Sequence, residues 1–470
     1  MASASSDLAT MAAWDAVETR EFLRKKDVSA EEVLEGAIAR AEEARHLGAV
    51  FERTYDRARA NAGARHTEAP LSGVPTLIKD LVQIRGVPTT WGSKAAGTYV
   101  SRRTDPIAAR IEEIGLVTLG KSACPELGLT PTTEPLGWPP CRNPWDPSRS
   151  SGGSSGGAAT LVAAGVVPIA HGSDGGGSIR IPAACCGLVG FKPSRLRLDM
   201  KGSNLLAVNV ACEGVLTRTV RDTVAFYAAL ESRRAPRKVA PIGKVADKPS
   251  RLLRMGVFVD APTGTPVNPE VRRVVLEAAR SCEALGHGVE EIQCPFEGSV
   301  IDDFLRYWGM LAWLQVRTGR LGMHWGFDGS KVEPWTRGLV EFFARKKLPA
   351  LAATLRRRRF SRTFAQVMKR YDVLISPTLP DPAPLLGYLA TDLPFETHFE
   401  RVRPFAAFTS VYNMSGAPAI ALPLGRSRAG LPIGVQLATA HGQDRVLLEL
   451  ATSIEAAKPW EAMAPRQRWL

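Results

Sequence analysis

The chain has 470 residues, 45% of them hydrophobic and 23% charged, and carries a net charge of +13. That length buries a large core and sets a soft expectation of two or three domain-sized units. The balance excludes wholesale disorder, and the sequence has no run of about 18 apolar residues of the kind that crosses a membrane. The opening "MASASSDLATMAAWDAVETREF" has no basic segment ahead of an apolar one, so a non-exported, cytoplasmic chain is expected. Seven scattered cysteines (124, 141, 185, 186, 212, 282 and 294) fit reduced thiols, and the isolated histidines give no expectation of a metal site.

In chain order, residues 10–45 read as two helices. Ser29 and Glu32 make a capping box, and Val33, Leu34, Ala37, Ile38 and Ala41 form one apolar stripe. From residue 71 short apolar runs separated by Gly and Pro follow ("GVPTLIKD", "GLVTLGK", "GVVPIAHGS", "GLVGFKPS"), the texture of strands buried on both faces. The Pro-rich basic stretch 232–250 reads as a linker or surface loop. After it come a strand at 253–260, a helix at 268–286, a mainly helical stretch at 301–370, and strand texture at 371–380, 416–425 and 430–439.

Because strands flank the helical stretch, one large α/β domain is expected, with a central mixed twisted sheet covered by helices on both faces. Its parts are N-terminal helices (1–65), a core (66–231) and a second part of the sheet (251–470) with a variable insert at about 301–370. The basic run "LRRRRFSR" (355–362) lies in that insert; with no nucleic-acid motif beside it, it reads as a solvated helix face.

Two glycine-rich segments carry the chemistry. In "SSGGSSGGAATLVAAG" (150–165), "GGSSG" satisfies the Gly-x-Ser-x-Gly pattern of a nucleophile elbow, but the preceding "CRNPWDPSRS" reads as a loop rather than the apolar strand an elbow needs. In "SDGGGSIRIPAACCG", Gly175, Gly176 and Gly177 serve either close packing or the exposure of backbone N–H groups to an anion. Neither run continues into Gly-Lys-Ser/Thr, so a phosphate-binding loop fails. What remains is a serine whose base is not histidine. A neutral lysine can fill that role if its pKa falls by roughly 2 to 3 units from about 10.4. Lys79 closes an apolar run, and strand alternation points it away from Asp80. A Lys-Asp pair closing a strand also suits a purely structural role.

"GVPTLIKD", "SSGGSSGGAA" and "SDGGGSIRIPAACCGLVGFKPS", in this order, resemble the three signature blocks of the amidase signature family of serine hydrolases. The resemblance implies a nucleophile at Ser178, a bridging cis-serine at Ser154 after a cis Gly153–Ser154 peptide, and a base at Lys79. It implies support from Ser155, an oxyanion hole formed by the N–H groups of Gly175, Gly176, Gly177 and Ser178, and loop-shaping roles for Asp174 and Arg180. No cofactor or metal is implied, and no nucleic-acid partner; the expected state is a monomer or homodimer acting on a small amide. The third block is most similar to the subgroup that opens cyclic dimers of 6-aminohexanoate, which implies linear or cyclic amides and extends to aryl amides, esters and carbamates. Tyr307, Trp308, Trp313, Trp325 and Trp335 in the insert are candidate pocket residues for an apolar or aromatic acyl group. Two alternatives stand beside this reading: the glutamine-hydrolysing A subunit of a tRNA-dependent amidotransferase, and an elbow-type esterase using "GGSSG".

Overall fold

The computed structural model describes residues 8–62, 68–198, 209–461 and 463–469. The strands are β1 (Val50–Arg53), β2 (Pro75–Lys79), β3 (Val117–Ser122), β4 (Arg142–Asn143), β5 (Asp146–Ser150), β6 (Ile169–Asp174) and β7 (Val189–Lys192), then β8 (Cys212–Thr217), β9 (Arg254–Val257), β10 (Gly288–Glu291), β11 (Val373–Pro377), β12 (Ala419–Arg426) and β13 (Pro432–Thr439). Eight of them form one mixed sheet in the order β10-β9-β11-β13-β12-β7-β8-β6, parallel at β10-β9-β11 and antiparallel elsewhere. A smaller sheet, β1-β3-β2, lies beside β6, where the Thr76 hydroxyl donates to the Ile169 carbonyl at 3.0 Å. This is the single α/β domain the pattern of runs predicts.

The central strands divide their side chains between two cores. Ala419 and Ala421 of β12 enter the core that holds the Gly156–Ala163 and Arg180–Cys186 helices and the insert. Ile420 and Leu422 enter the opposite core, beneath the helices Val220–Arg233, Pro269–Ala284 and Asp444–Ala457. Small residues on the first face let a helix sit close to the sheet. A Cβ on Gly190 would stand 2.5 Å from that of Ala183, and one on Gly434 would stand 2.5 Å from that of Ala184. That close seat fixes where Arg180–Cys186 begins, and so where Ser178 lies.

The structure differs from the sequence reading at three places. The N-terminal stretch forms three helices, Leu8–Ala13, Ala16–Lys25 and Ala30–Glu43, because Asp15 starts the second with its own capping box to Glu18; the Ser29–Glu32 box starts the third. The 253–260 strand is confined to Arg254–Val257. The segment before "GGSSG" is the hairpin β4–β5 rather than a loop, yet its second strand, "DPSRS", is polar and half-buried and supplies no apolar approach to a nucleophile elbow. Residues 234–253 carry neither helix nor strand, and the buried Ile242 is tied there by its N–H to Glu231. The insert consists mainly of the helices Ser299–Gly322, Pro334–Arg345 and Lys347–Arg370. Among the described residues, no helix is long and apolar enough to cross a membrane.

Candidate active site

β2 ends at Lys79, whose side chain is fully buried. Its Nζ lies 2.8 Å from Ser154 Oγ, 2.9 Å from Ser155 Oγ and 3.1 Å from Ser173 Oγ. No carboxylate among the described residues forms an ion pair with it. Asp80 points away, as alternation predicts: Oδ1 is 2.6 Å from Lys121 Nζ, and Oδ2 accepts from the N–H and hydroxyl of Thr90. Burial among neutral hydroxyls penalises the ammonium and lowers the Lys79 pKa from 10.5 to about 8, against the opposing pull of the Glu213 and Asp174 carboxylates.

Ser154 follows a cis Gly153–Ser154 peptide, as the resemblance implies. A Cβ on Gly153 would stand 2.5 Å from the Thr132 carbonyl, so the backbone approach itself requires glycine. Ser178 is brought alongside through its carbonyl, which accepts the N–H of Ser155 at 3.2 Å. Its own hydroxyl makes no hydrogen bond among the described residues, and the residue is 7% exposed.

The three glycines before Ser178 are demanded by three different neighbours. A Cβ on Gly175 would stand 3.0 Å from Trp308, one on Gly176 2.5 Å from Phe304, and one on Gly177 2.3 Å from Thr409 Oγ1, with φ of +130° at Gly177. Beneath the turn, Arg180 forms a two-pronged ion pair with Asp174, Nη2 to Oδ1 at 2.9 Å and Nε to Oδ2 at 3.0 Å. The Asp174 carboxylate also accepts from the N–H groups of Gly177 and Ile179 and from Asn413 Nδ2. Burial would raise its pKa, but Arg180 and these donors hold it well below the usual carboxylate range. One expectation is corrected here: the N–H of Gly177 is committed to Asp174 Oδ1 at 2.8 Å, so it is not a free donor. The N–H groups of Gly175, Gly176 and Ser178 make no hydrogen bond among the described residues.

The insert tryptophans separate. Trp308 packs on the glycine turn, stacks on Phe304 at 5.2 Å and donates its indole N–H to the Leu129 carbonyl. Trp335 donates to the same carbonyl but is buried against His398. Trp313 packs against Phe343 between insert helices, Tyr307 is buried beside Val210, and Trp325 is 81% exposed. The structure therefore brings Trp308 to the turn and places Trp313 and Trp325 in other surroundings.

Sequence reasoning missed Ser173, His171, Glu213, Phe304, Thr409 and Asn413. Alternation along β6 carried a signal for two of them, since His171 and Ser173 share the face that meets Lys79. Thr409 donates to the Gly176 carbonyl at 2.7 Å from 233 positions away, a contact that local pattern does not encode.

A profile of the family described as Amidase matches residues 32–448. The chain is 42% identical over 451 residues to "Putative amidase AmiC" of Mycobacterium tuberculosis, covering 95% of each. Its structure superposes on that of a 6-aminohexanoate cyclic dimer hydrolase complexed with substrate with a TM-score of 0.86 at 30% identity, covering 98% of this chain and 100% of the other. A bacterial aryl acylamidase of the amidase signature family gives a TM-score of 0.82 at 28% identity, covering 95% and 96%. The chain belongs to the amidase signature family, enzymes that hydrolyse carbon–nitrogen bonds.

Proposed function

We propose that the chain hydrolyses amides of apolar or aromatic acids through an acyl-enzyme on Ser178. The observation that carries this reading is a fully buried amine, Lys79, ringed by serine hydroxyls and lacking a carboxylate partner among the described residues. Neutral Lys79 takes a proton from Ser154 while Ser154 takes one from Ser178, and Ser178 Oγ attacks the carbonyl carbon. The oxyanion is met by the N–H groups of Gly175, Gly176 and Ser178. The proton returns to the departing nitrogen, the C–N bond breaks, and water repeats the sequence on the acyl-enzyme.

Ser155 holds the lysine beside Ser154, while Asp174 and Arg180 keep the turn in shape. Support for the substrate class comes from Phe304 and Trp308, which set apolar rings against the turn that bears the nucleophile. The names of two structural relatives, one for a cyclic oligoamide and one for aryl acylamides, point the same way. Esters and carbamates of similar shape meet the same geometry.

The test is a fluorophosphonate reaction followed by peptide mapping, run beside p-nitroanilide, aryl acylamide and cyclic amide substrates. The expected result is one adduct, on Ser178, with amine released from the aryl substrates. An adduct on Ser154 or Ser155 overturns the assignment of the nucleophile, and ester cleavage without amine release overturns the substrate class.

A further inference from the structure

We propose that His171 and Glu213 are a positioning pair for the Lys79 amine: His171 holds the end of β2 in place, and the Glu213 carboxylate supplies the charge that favours the ammonium form. This rests on Lys79 being the base. The backbone N–H of Lys79 donates to His171 Nδ1 at 3.3 Å, so Nδ1 must present its lone pair. The ring proton then sits on Nε2, which donates to Glu213 Oε2 at 3.0 Å. β6 and β8 pair in register with Ser173 opposite Glu213, so His171, Ser173 and Glu213 share the face toward Lys79.

The remaining charged and titratable groups around the amine are already occupied or neutral. From β2 and β3, Asp80 and Lys121 engage each other. Beyond β3, burial pushes the Cys124 thiol far up, so it stays protonated. At the end of β6, Asp174 is paired with Arg180 from the following helix. Glu213 differs. Among the described residues its side-chain partner is the His171 ring, whose Nδ1 accepts from Lys79 and which therefore carries no charge to pair with the carboxylate.

The sign follows from the geometry. A nearby carboxylate favours the protonated amine, so its removal lets Lys79 lose its proton at lower pH. The test reads the rate of fluorophosphonate labelling of Ser178 as a function of pH, which needs no knowledge of the natural substrate. In the wild type the rate climbs with pH as Lys79 becomes neutral. In Glu213→Gln that limb is expected about one pH unit lower, so that on the old limb labelling is about tenfold faster relative to its own plateau. Glu213→Asp, which keeps the charge, is expected to stay near the wild-type limb.

His171→Leu, which can neither accept from Lys79 nor donate to Glu213, is expected to lower the plateau about fivefold. His171→Gln, which can do both, restores it. A Glu213→Gln limb that superposes on the wild type, or a loss uniform at every pH, overturns the role of Glu213, and an unchanged His171→Leu plateau overturns that of His171. Lys79→Ala separates the two levels of the argument. Slow labelling in Lys79→Ala with an unmoved Glu213→Gln limb overturns the pair alone, whereas wild-type labelling in Lys79→Ala overturns the lysine base and the pair together.

Discussion

Two kinds of surroundings meet at the 173–178 turn. Toward Ser173 stands a buried polar knot, in which Lys79 is held by three hydroxyls and Lys121 beside it is held by Asp80. Toward Gly175 and Gly176 stand the rings of Trp308 and Phe304 from the insert. In the knot a single atom decides whether a buried charge is matched, so each position is worth several kcal/mol. In the ring wall the interaction is spread over area and tolerates exchange. Under the proposed function, bond breaking depends on the first region and substrate choice on the second.

The sharpest way to break that contrast is to make Lys79 apolar. Lys79→Met is expected to reduce kcat at least about a thousandfold. The fold should persist, because the native lysine opposes folding at neutral pH. Its pKa falls from 10.5 when unfolded to about 8 when folded. The folded state thus binds fewer protons between those values, and stability rises with pH across that window by about 3 kcal/mol. Below pH 8 both states are protonated and the whole penalty is present. Methionine removes it, so a denaturant midpoint at pH 7 equal to or above that of the wild type, together with lost turnover, is the expected outcome. A large drop in midpoint would mean that the hydroxyl contacts of Lys79 hold the fold.

Its neighbour gives the opposite pair of results. Asp80→Asn leaves Lys121 fully buried without its carboxylate, a loss of about 3 kcal/mol in unfolding free energy, while turnover measured below the transition falls far less than in Lys79→Met. Equilibrium unfolding followed by tryptophan fluorescence checks the first part, and initial rates on one amide check the second. If Asp80→Asn kept its stability and lost turnover as Lys79→Met does, the division of labour between the two lysines would be wrong.

The two regions also differ in how far they could be read in advance. Lys79, Ser154, Ser155 and the glycine turn sit in three contiguous blocks, and their expected roles are legible through the resemblance of those blocks to the amidase signature. Alternation alone was enough to turn Asp80 away from Lys79. The fold class was legible for a similar reason, since apolar runs of strand length separated by Gly and Pro leave few architectures open.

What escaped depends on contacts between distant segments. The commitment of the Gly177 N–H to Asp174 depends on how the turn is folded against Arg180, Asn413 and Thr409, the last two more than 200 positions away. Four tryptophans looked equivalent as candidates because composition records their number and not their direction. Trp325 is 81% exposed while Trp335 is buried, and neither side of that difference is visible in a helical texture.

The smallest expected effect belongs to the ring wall, and it tests whether that wall chooses substrates. Phe304 and Trp308 lie one helical turn apart on Ser299–Gly322 and stack at 5.2 Å, so they present rings to adjacent glycines, Trp308 to Gly175 and Phe304 to Gly176. Trp308→Leu removes the outer ring and its bond to the Leu129 carbonyl. Trp335 still donates to that carbonyl, so the acceptor is not left unpaired. An aromatic pair contributes about 1 kcal/mol beyond the area it buries, so kcat/KM for an aryl acylamide is expected to fall about fivefold through KM. Acetamide carries no ring or long chain for the wall to hold, so its kcat/KM should stay within about twofold. Equal losses on both substrates would mean that Trp308 shapes the glycine turn itself and belongs, energetically, with the polar knot.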